Sequence, residues 1–120
     1  IGGESTRPGS EAVPLDEELA RVVPVVAGLR EAAPAAIALG VDTRRPEVAR
    51  AALDAGASIV NDVTAAADPA MFALVRETGA GLVLMHMLGE PRTMQDDPHY
   101  DDVVREVRDF LADLFGEQRR

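Results

Sequence analysis

Four short stretches of this chain bring together side chains able to bind or move charge. The longest is Gly2-Gly3-Glu4-Ser5-Thr6-Arg7-Pro8-Gly9. It combines a Gly pair, two hydroxyls and one guanidinium, then closes on Pro-Gly. Arg7 offers a rigid fork of donors suited to a phosphate, and the Ser5 and Thr6 hydroxyls add two more. The loop therefore reads either as a phosphate grip or as a plain surface turn. It is not a P-loop, because it has no Gly-Lys-Ser/Thr and the next helix begins too late for its dipole to help. Asp42 ends the apolar run Gly40-Val41 and also admits two readings. It is either a helix-capping carboxylate or an acceptor for two parallel N–H groups on the edge of an amino-pyrimidine. Asn61 follows Ile59-Val60, and its paired donor and acceptor suit a flat heterocycle, or else it forms a turn. The neighbouring Asp62 reads as a backbone hydrogen-bonding carboxylate. Met85-His86-Met87 closes another run, with the two Met side chains on one face and His86 on the other. A single His there reads as a packed core residue rather than a base or ligand.

The elements that position these groups alternate between short apolar runs and amphipathic helices. Ile37 to Val41, Ser58 to Val60 and Gly81 to Met85 read as buried strands. Leu19, Val22, Val23, Val26 and Leu29 form a helical stripe, interrupted by Pro24, which is expected to kink it and remove one hydrogen bond. Pro46 opens a helix that Gly56 ends, and Asp68-Pro69 opens another that Gly79 closes. In the last segment Val103, Val104, Val107, Phe110, Leu111, Leu114 and Phe115 share one face, opposite Asp102, Arg105, Glu106 and Asp109. Strands alternating with helices imply parallel pairing in an α/β fold, either a doubly wound sheet or a (β/α)8 barrel. The barrel is favoured because Glu4 to Arg7, Asp42-Thr43, Asn61-Asp62 and His86 all follow strands, at the ends that converge on a barrel mouth. A full barrel needs roughly 250 residues, so these 120 residues supply about half of one, about strands 2 to 5 with their helices. The chain opens on Ile1, so the first loop reads as the tail of a strand and the whole as an interior piece of a larger protein. No linker or low-complexity stretch divides it, and residues 1–120 form one part-domain.

Composition narrows the chemistry further. The formal charge of −9, with no basic stripe, argues against nucleic acid. All 12 cations are Arg, so no Schiff-base or phosphate-gripping Lys lies in this piece. The absence of Cys removes thiol catalysis, disulfides and Cys-type zinc sites. No second ligand stands at helical spacing from His86, and His99 reads as solvent-facing, so the sequence gives no protein-held metal. The longest apolar stretch, Ala32 to Val41, is too short to span a membrane. Aromatics are only 3% of residues, which leaves a core of Ala, Val, Leu and Ile.

In wording and order these stretches are specific. The chain resembles the dihydropteroate synthases over nearly its whole length. The resemblance rests on Gly2 to Gly9, on Val41-Asp42-Thr43, on Asn61-Asp62-Val63, and on Met85-His86-Met87-Leu88-Gly89-Glu90-Pro91-Arg92-Thr93-Met94-Gln95. It implies a (β/α)8 barrel and a cytoplasmic folate-pathway transferase, homodimeric at full length. Such an enzyme condenses (7,8-dihydropterin-6-yl)methyl diphosphate with 4-aminobenzoate and releases diphosphate with Mg²⁺, whose protein ligand would lie outside this chain. It further implies that Asp42 and Asn61 hydrogen-bond the pterin ring and that Val63 and Met85 wall its pocket. Thr6, Arg7 and Pro8 would belong to a mobile loop over the diphosphate, and Asp42 and Arg7 would act in catalysis.

The chain departs from the family pattern at Gly40, where Ser is usual, and at Thr64-Ala65-Ala66-Ala67, which replaces a more Gly-containing stretch and is expected to be stiffer. The family's Mg²⁺-associated Asn and its later Asp, Lys and Arg-x-His elements are not among these residues. The chain alone is therefore expected not to turn over substrate and to expose unpaired strand edges. Two alternatives stand beside this reading. One is a methyltetrahydrofolate-dependent methyltransferase, against which Ser5-Thr6-Arg7-Pro8 argues. The other is a truncated, non-catalytic paralogue acting as a binding module.

Overall fold

A computed structural model describes residues 1–90 and 92–118; Pro91, in the last stretch of the resemblance, lies outside the described residues. The order is α1 (Leu15–Ala32), β1 (Gly40–Asp42), α2 (Pro46–Asp54), β2 (Ile59–Asp62), α3 (Ala70–Thr78), β3 (Gly81–Leu84) and α4 (Val103–Gln118). The strands form one parallel sheet in the order β1-β2-β3. Gly2 makes a parallel bridge to Asp42, and the Asp42 N–H donates to the Ile1 carbonyl at 2.7 Å. The first residues thus lie alongside β1, bridged to it in parallel.

The core forms where the Ala- and Val-rich faces of α1, α2 and α3 meet the helix-facing side of the sheet. Val22, Val26, Val41, Val48, Ala49, Ala52, Val60 and Met71 are all fully buried. Small side chains let helix and sheet backbones approach closely, and burying each Val contributes on the order of 1.5–3 kcal/mol. Strand alternation then fixes the other side. Val41 and Val60 face the helices, so Asp42 and Asn61 face away from them.

Helix punctuation follows the sequence. Asp68 Oδ1 accepts the Ala70 N–H at 2.9 Å, and Gly79 closes α3 in the left-handed region at φ 70° with its N–H on the Val75 carbonyl. At Gly56, φ is +114° and a Cβ would stand 2.6 Å from Arg30 Cγ, so a side chain is excluded twice over. At the start of α4, Glu106 Oε1 accepts the N–H groups of Asp101 and Asp102, while Asp102 Oδ1 accepts that of Arg105. This reciprocal capping orders the entry to the helix.

Several boundaries and faces differ from the sequence reading. Ile37 to Leu39 lie outside β1, because the Ile37 N–H turns back to the Pro34 carbonyl and Arg30 Nη1 takes the Ile37 carbonyl at 2.9 Å. β2 runs on through Asn61 and Asp62, while β3 stops at Leu84, one residue before Met85. α1 continues unbroken through Pro24, which is exposed. In α1 the buried line is Glu18, Val22 and Val26, and Leu29 is exposed at its edge. The apolar stripe of α4 is not sealed against the sheet: Val103, Val104, Phe110 and Phe115 are 50%, 76%, 40% and 56% exposed. Phe110 makes one specific contact, edge-on to His86 with ring centroids 4.8 Å apart.

Candidate active site

The loops that follow the strands enclose a cavity of about 660 Å³. Four segments build it. Glu4, Ser5 and Thr6 come from the first loop, Asp42, Thr43 and Arg44 from the end of β1, and Val63 to Ala65 from the turn after β2. Met85 and Met87 come from the turn after β3, with Phe110 of α4 opposite. Register places Asp42 level with Asn61, and Asn61 level with Val83. Asp42 and Asn61 therefore stand side by side on one face of the sheet, about 4.8 Å apart in strand spacing.

Thr6, Asp42, Val63 and Met85, each singled out from the sequence, meet in this cavity. Asn61 adjoins it in register with Asp42 and is half-buried, but does not line it. Arg7 and Pro8 sit on the exposed tip of the first loop, outside the lining. There the Arg7 N–H donates to Ser5 Oγ at 3.3 Å and its carbonyl accepts the Ser10 N–H at 3.0 Å.

Position also removes two of the plainer readings. α2 begins at Pro46 without a side-chain cap, so Asp42 is not its cap. Among the described residues no side chain hydrogen-bonds or ion-pairs with the Asp42 carboxylate, which leaves its two oxygens open to a ligand. Asn61 lies inside β2 and is not a turn residue. Asp62 does serve the backbone: its Oδ1 accepts the Thr64 N–H at 2.8 Å and the Thr64 hydroxyl at 2.7 Å. Its buried Oδ2 has no hydrogen-bond partner among the described residues. The turn that Asp62 holds includes Ala65 and Ala66, buried and left-handed at φ 56° and 57°. That conformation costs an L-residue roughly 1–2 kcal/mol at each position. The Met85 and Met87 side chains share the cavity, while His86 turns away to Phe110 and Tyr100, whose hydroxyl is 3.5 Å from His86 Nδ1. His99 is 80% exposed and faces solvent.

One feature was not anticipated, an ion-pair network at the base of the first loop. Glu4 binds Arg44 through both carboxylate oxygens, at 2.8 Å to Nε and 3.3 Å to Nη2, and Oε2 also accepts the Val13 N–H at 2.8 Å. Arg45 Nη2 donates to the Val13 carbonyl at 2.7 Å, and Nη1 pairs with Oε2 of the fully buried Glu18. Thr43 Oγ1 donates to Glu18 Oε1 at 2.7 Å and accepts the Arg45 N–H at 3.2 Å. Burial pushes the Glu4 carboxyl up, but Arg44, the Val13 N–H and Arg45 outweigh it and hold it below its usual range. Pairing with Glu4 raises Arg44 in turn, against the opposing effect of burial. The signal was present in the sequence: Glu18 stands four residues before Val22 and eight before Val26, in phase with the buried line.

Parallel strands joined by helices, with polar groups gathered at and just beyond the strand ends, define an α/β protein. Residues 1–115 match the pterin binding enzyme family, and the chain belongs to that family. It is 51% identical over 115 residues to the dihydropteroate synthase of Mycobacterium leprae, covering 93% of this chain and 39% of that protein. The Yersinia pestis dihydropteroate synthase, crystallised in a sulfonamide drug complex, superposes with a TM-score of 0.90 at 38% identity, over 97% of this chain and 42% of that one. The Burkholderia cenocepacia dihydropteroate synthase complexed with 7,8-dihydropteroate superposes with a TM-score of 0.82 at 52% identity, over 98% of this chain and 41% of that one. The chain is thus part of a (β/α)8 barrel and spans about two fifths of the length of these relatives.

Proposed function

We propose that residues 1–120 form one part of a dihydropteroate synthase barrel, the part that holds the pterin and carries the diphosphate loop. The reaction would join (7,8-dihydropterin-6-yl)methyl diphosphate to 4-aminobenzoate and release diphosphate. The observation that carries this reading is the convergence of Thr6, Asp42, Val63 and Met85, from four separate segments, around one cavity. Asp42, with two open oxygens, accepts paired N–H groups from the amino-pyrimidine edge, and Asn61 reads the adjoining mixed edge. Val63 and Met85 pack against the ring faces. As the C–O bond to diphosphate breaks, positive charge spreads into the pterin, where the Asp42 carboxylate stabilises it. Arg7, from the loop tip beside Thr6 and Pro8, meets the negative charge on the leaving group when the loop closes, and closure keeps water from the cation.

Mg²⁺ would travel with the diphosphate in this reaction and neutralise its charge. The residues at hand do not make a metal cage: among the described residues no three His, Cys, Asp or Glu side chains are grouped to hold an ion. Glu4 is already committed to Arg44 and Val13. The full-length protein would be a cytoplasmic homodimer, acting on these small molecules rather than on nucleic acid or membrane. Among the described residues no helix is long and apolar enough to cross a membrane.

The test is diphosphate release by the protein expressed from the complete reading frame around this segment, given both substrates. Release that requires 4-aminobenzoate supports the synthase. Methyl transfer from methyltetrahydrofolate without diphosphate release would move the chain to the methyltransferase alternative. Pterin binding without either reaction would mark a non-catalytic paralogue. The 120-residue chain alone is expected to show no turnover.

A further inference from the structure

The first loop is held only at its base. Glu4 and Val13, nine residues apart, are joined by a 2.8 Å hydrogen bond. Gly3 sits flush on α1: a Cβ there would stand 2.9 Å from Val22 Cγ2 and 3.1 Å from the Glu18 carbonyl oxygen, and Arg21 Nη1 donates to the Gly3 carbonyl at 2.9 Å. Between these fixed ends, among the described residues, Ser5 to Ala12 is tied only to itself, through Ser10 Oγ on the Ser5 carbonyl and the Arg7–Ser10 turn. Among the described side chains Arg45 is the one that reaches both ends of the base and the helix behind it. It donates to the Val13 carbonyl at 2.7 Å, lies 3.5 Å from Glu4 Oε2, and pairs with the buried Glu18. Glu18 in turn accepts from Thr43, the residue after Asp42. One network thus links the base of the loop to the end of β1. Arg45 itself does not line the cavity.

We propose that Arg45, through Glu18, Glu4 and Val13, is a positioning residue that fixes the base of the loop against the Asp42 strand end, so that only Ser5 to Ala12 moves when the loop closes. The inference rests on the synthase reading for its consequence in catalysis, but not for the tie itself. A loop with a fixed base returns Thr6 and Arg7 to the same place each time it closes, which cuts the ordering cost of each closure. Without the tie, the loop would swing from further back and Arg7 would find the diphosphate less often. Binding of the pterin ring at Asp42 and Asn61 would be spared.

Two measurements on the full-length protein test this. Replacing Arg45 alone by Met would strand the buried Glu18 charge, so the informative variant is Arg45→Met/Glu18→Met, which fills the same space without charge. Hydrogen exchange reads the tie directly. In the double variant the Val13 amide, bonded to Glu4 at the base, is expected to exchange about tenfold faster or more, as loss of charge-assisted bonds implies, while α2 and α3 stay within about twofold. Kinetics read the consequence. KM for the dihydropterin diphosphate is expected to rise about tenfold, while the Kd of 6-hydroxymethylpterin, which carries no diphosphate, changes by less than about twofold. Arg45→Lys keeps a cation beside Glu18 and within reach of Val13, and is expected to recover KM to within about threefold of the parent. Unchanged exchange at Val13 in the double variant overturns the tie. Equal losses for both ligands, or faster exchange throughout, reduce Arg45 to a general structural role and also overturn the proposal. If the unsubstituted protein binds neither ligand, the synthase reading falls, and the exchange data still decide the tie.

Discussion

Asp42→Asn separates binding from folding more cleanly than any other single change in this chain. The carboxylate hydrogen-bonds to and ion-pairs with no other described side chain and caps no helix, so little of the fold's stability is expected to rest on its charge. Asn is nearly isosteric and keeps one acceptor oxygen. The stability cost is therefore expected to stay within about 0.5 kcal/mol, the range for a substitution away from any packed or bonded feature. Binding is another matter. The carboxylate offers two charged acceptors to two N–H donors, and each such bond is worth about 1.5–3 kcal/mol. Asn loses the charge and turns one acceptor into a donor that faces another donor. A loss of roughly 3–4 kcal/mol follows, or about 140- to 720-fold in Kd at 1.4 kcal/mol per factor of ten. Calorimetric titration of the full-length protein with 6-hydroxymethylpterin reads the loss, and its thermal midpoint reads the fold. Pterin affinity within tenfold of the parent would sink the assignment of Asp42 to the ring edge. A fall in thermal midpoint alongside the lost affinity would mean that Asp42 has an internal partner and that the reasoning from its isolation fails.

Three further outcomes are expected in full-length protein. Gly56→Ala forces a Cβ to 2.6 Å from Arg30 Cγ at φ +114°, and should destabilise by about 2–3 kcal/mol in denaturant unfolding. A change below about 0.5 kcal/mol would contradict the packing described. Ala66→Val sets a β-branched side chain at φ 57° and should cost about 2 kcal/mol, while Ala66→Gly should shift stability by less than about 1, strain relief offsetting lost chain stiffness. Because Glu4 titrates below its ordinary range, its contribution is whole above the unfolded carboxyl value and is lost as pH falls through the lower folded value. The stability gap between the parent and Arg44→Met should accordingly be widest near neutrality and narrow below about pH 4.3 in urea titrations. A gap that widens on acidification would reverse the assigned sign.

The alternation of strand and helix was legible in the sequence because period and punctuation agreed, as at Asp68-Pro69 and Gly79. The strand ends were legible only to within one or two residues, and Thr6, Val63 and Met85 came from the family resemblance rather than from period; with Asp42 they line one cavity. Three things were not legible. Glu18 hid in an amphipathic helix, where an acid reads as solvent-facing unless its partners are known, and Arg45 and Thr43 lie far along the chain. Ile37 to Leu39 satisfied a strand pattern, but Pro34 and Arg30 took the backbone groups of Ile37 into a turn. The stripe on α4 has the right period for burial, yet period says nothing of what covers it. Arg7 and Pro8 are placed by the loop's own turn, whereas a sequence motif records composition without the state of closure.

The register of the sheet acts as a ruler for the heterocycle proposed to lie against it. Asp42, Asn61 and Val83 lie at one level across three strands, with the spacing set by backbone hydrogen bonds rather than by side chains. Insertions or deletions on the helical side of the barrel, in the connections such as that from Ala55 to Ser58, would leave this level intact. A single residue inserted between Ile59 and Asn61 would not. It would turn Asn61 toward the helices and present an apolar neighbour beside Asp42 instead. Length variation among relatives of this chain should therefore gather in the turns at the ends of the helices and spare the few residues of β1 and β2, whatever happens to the identities of the side chains around them.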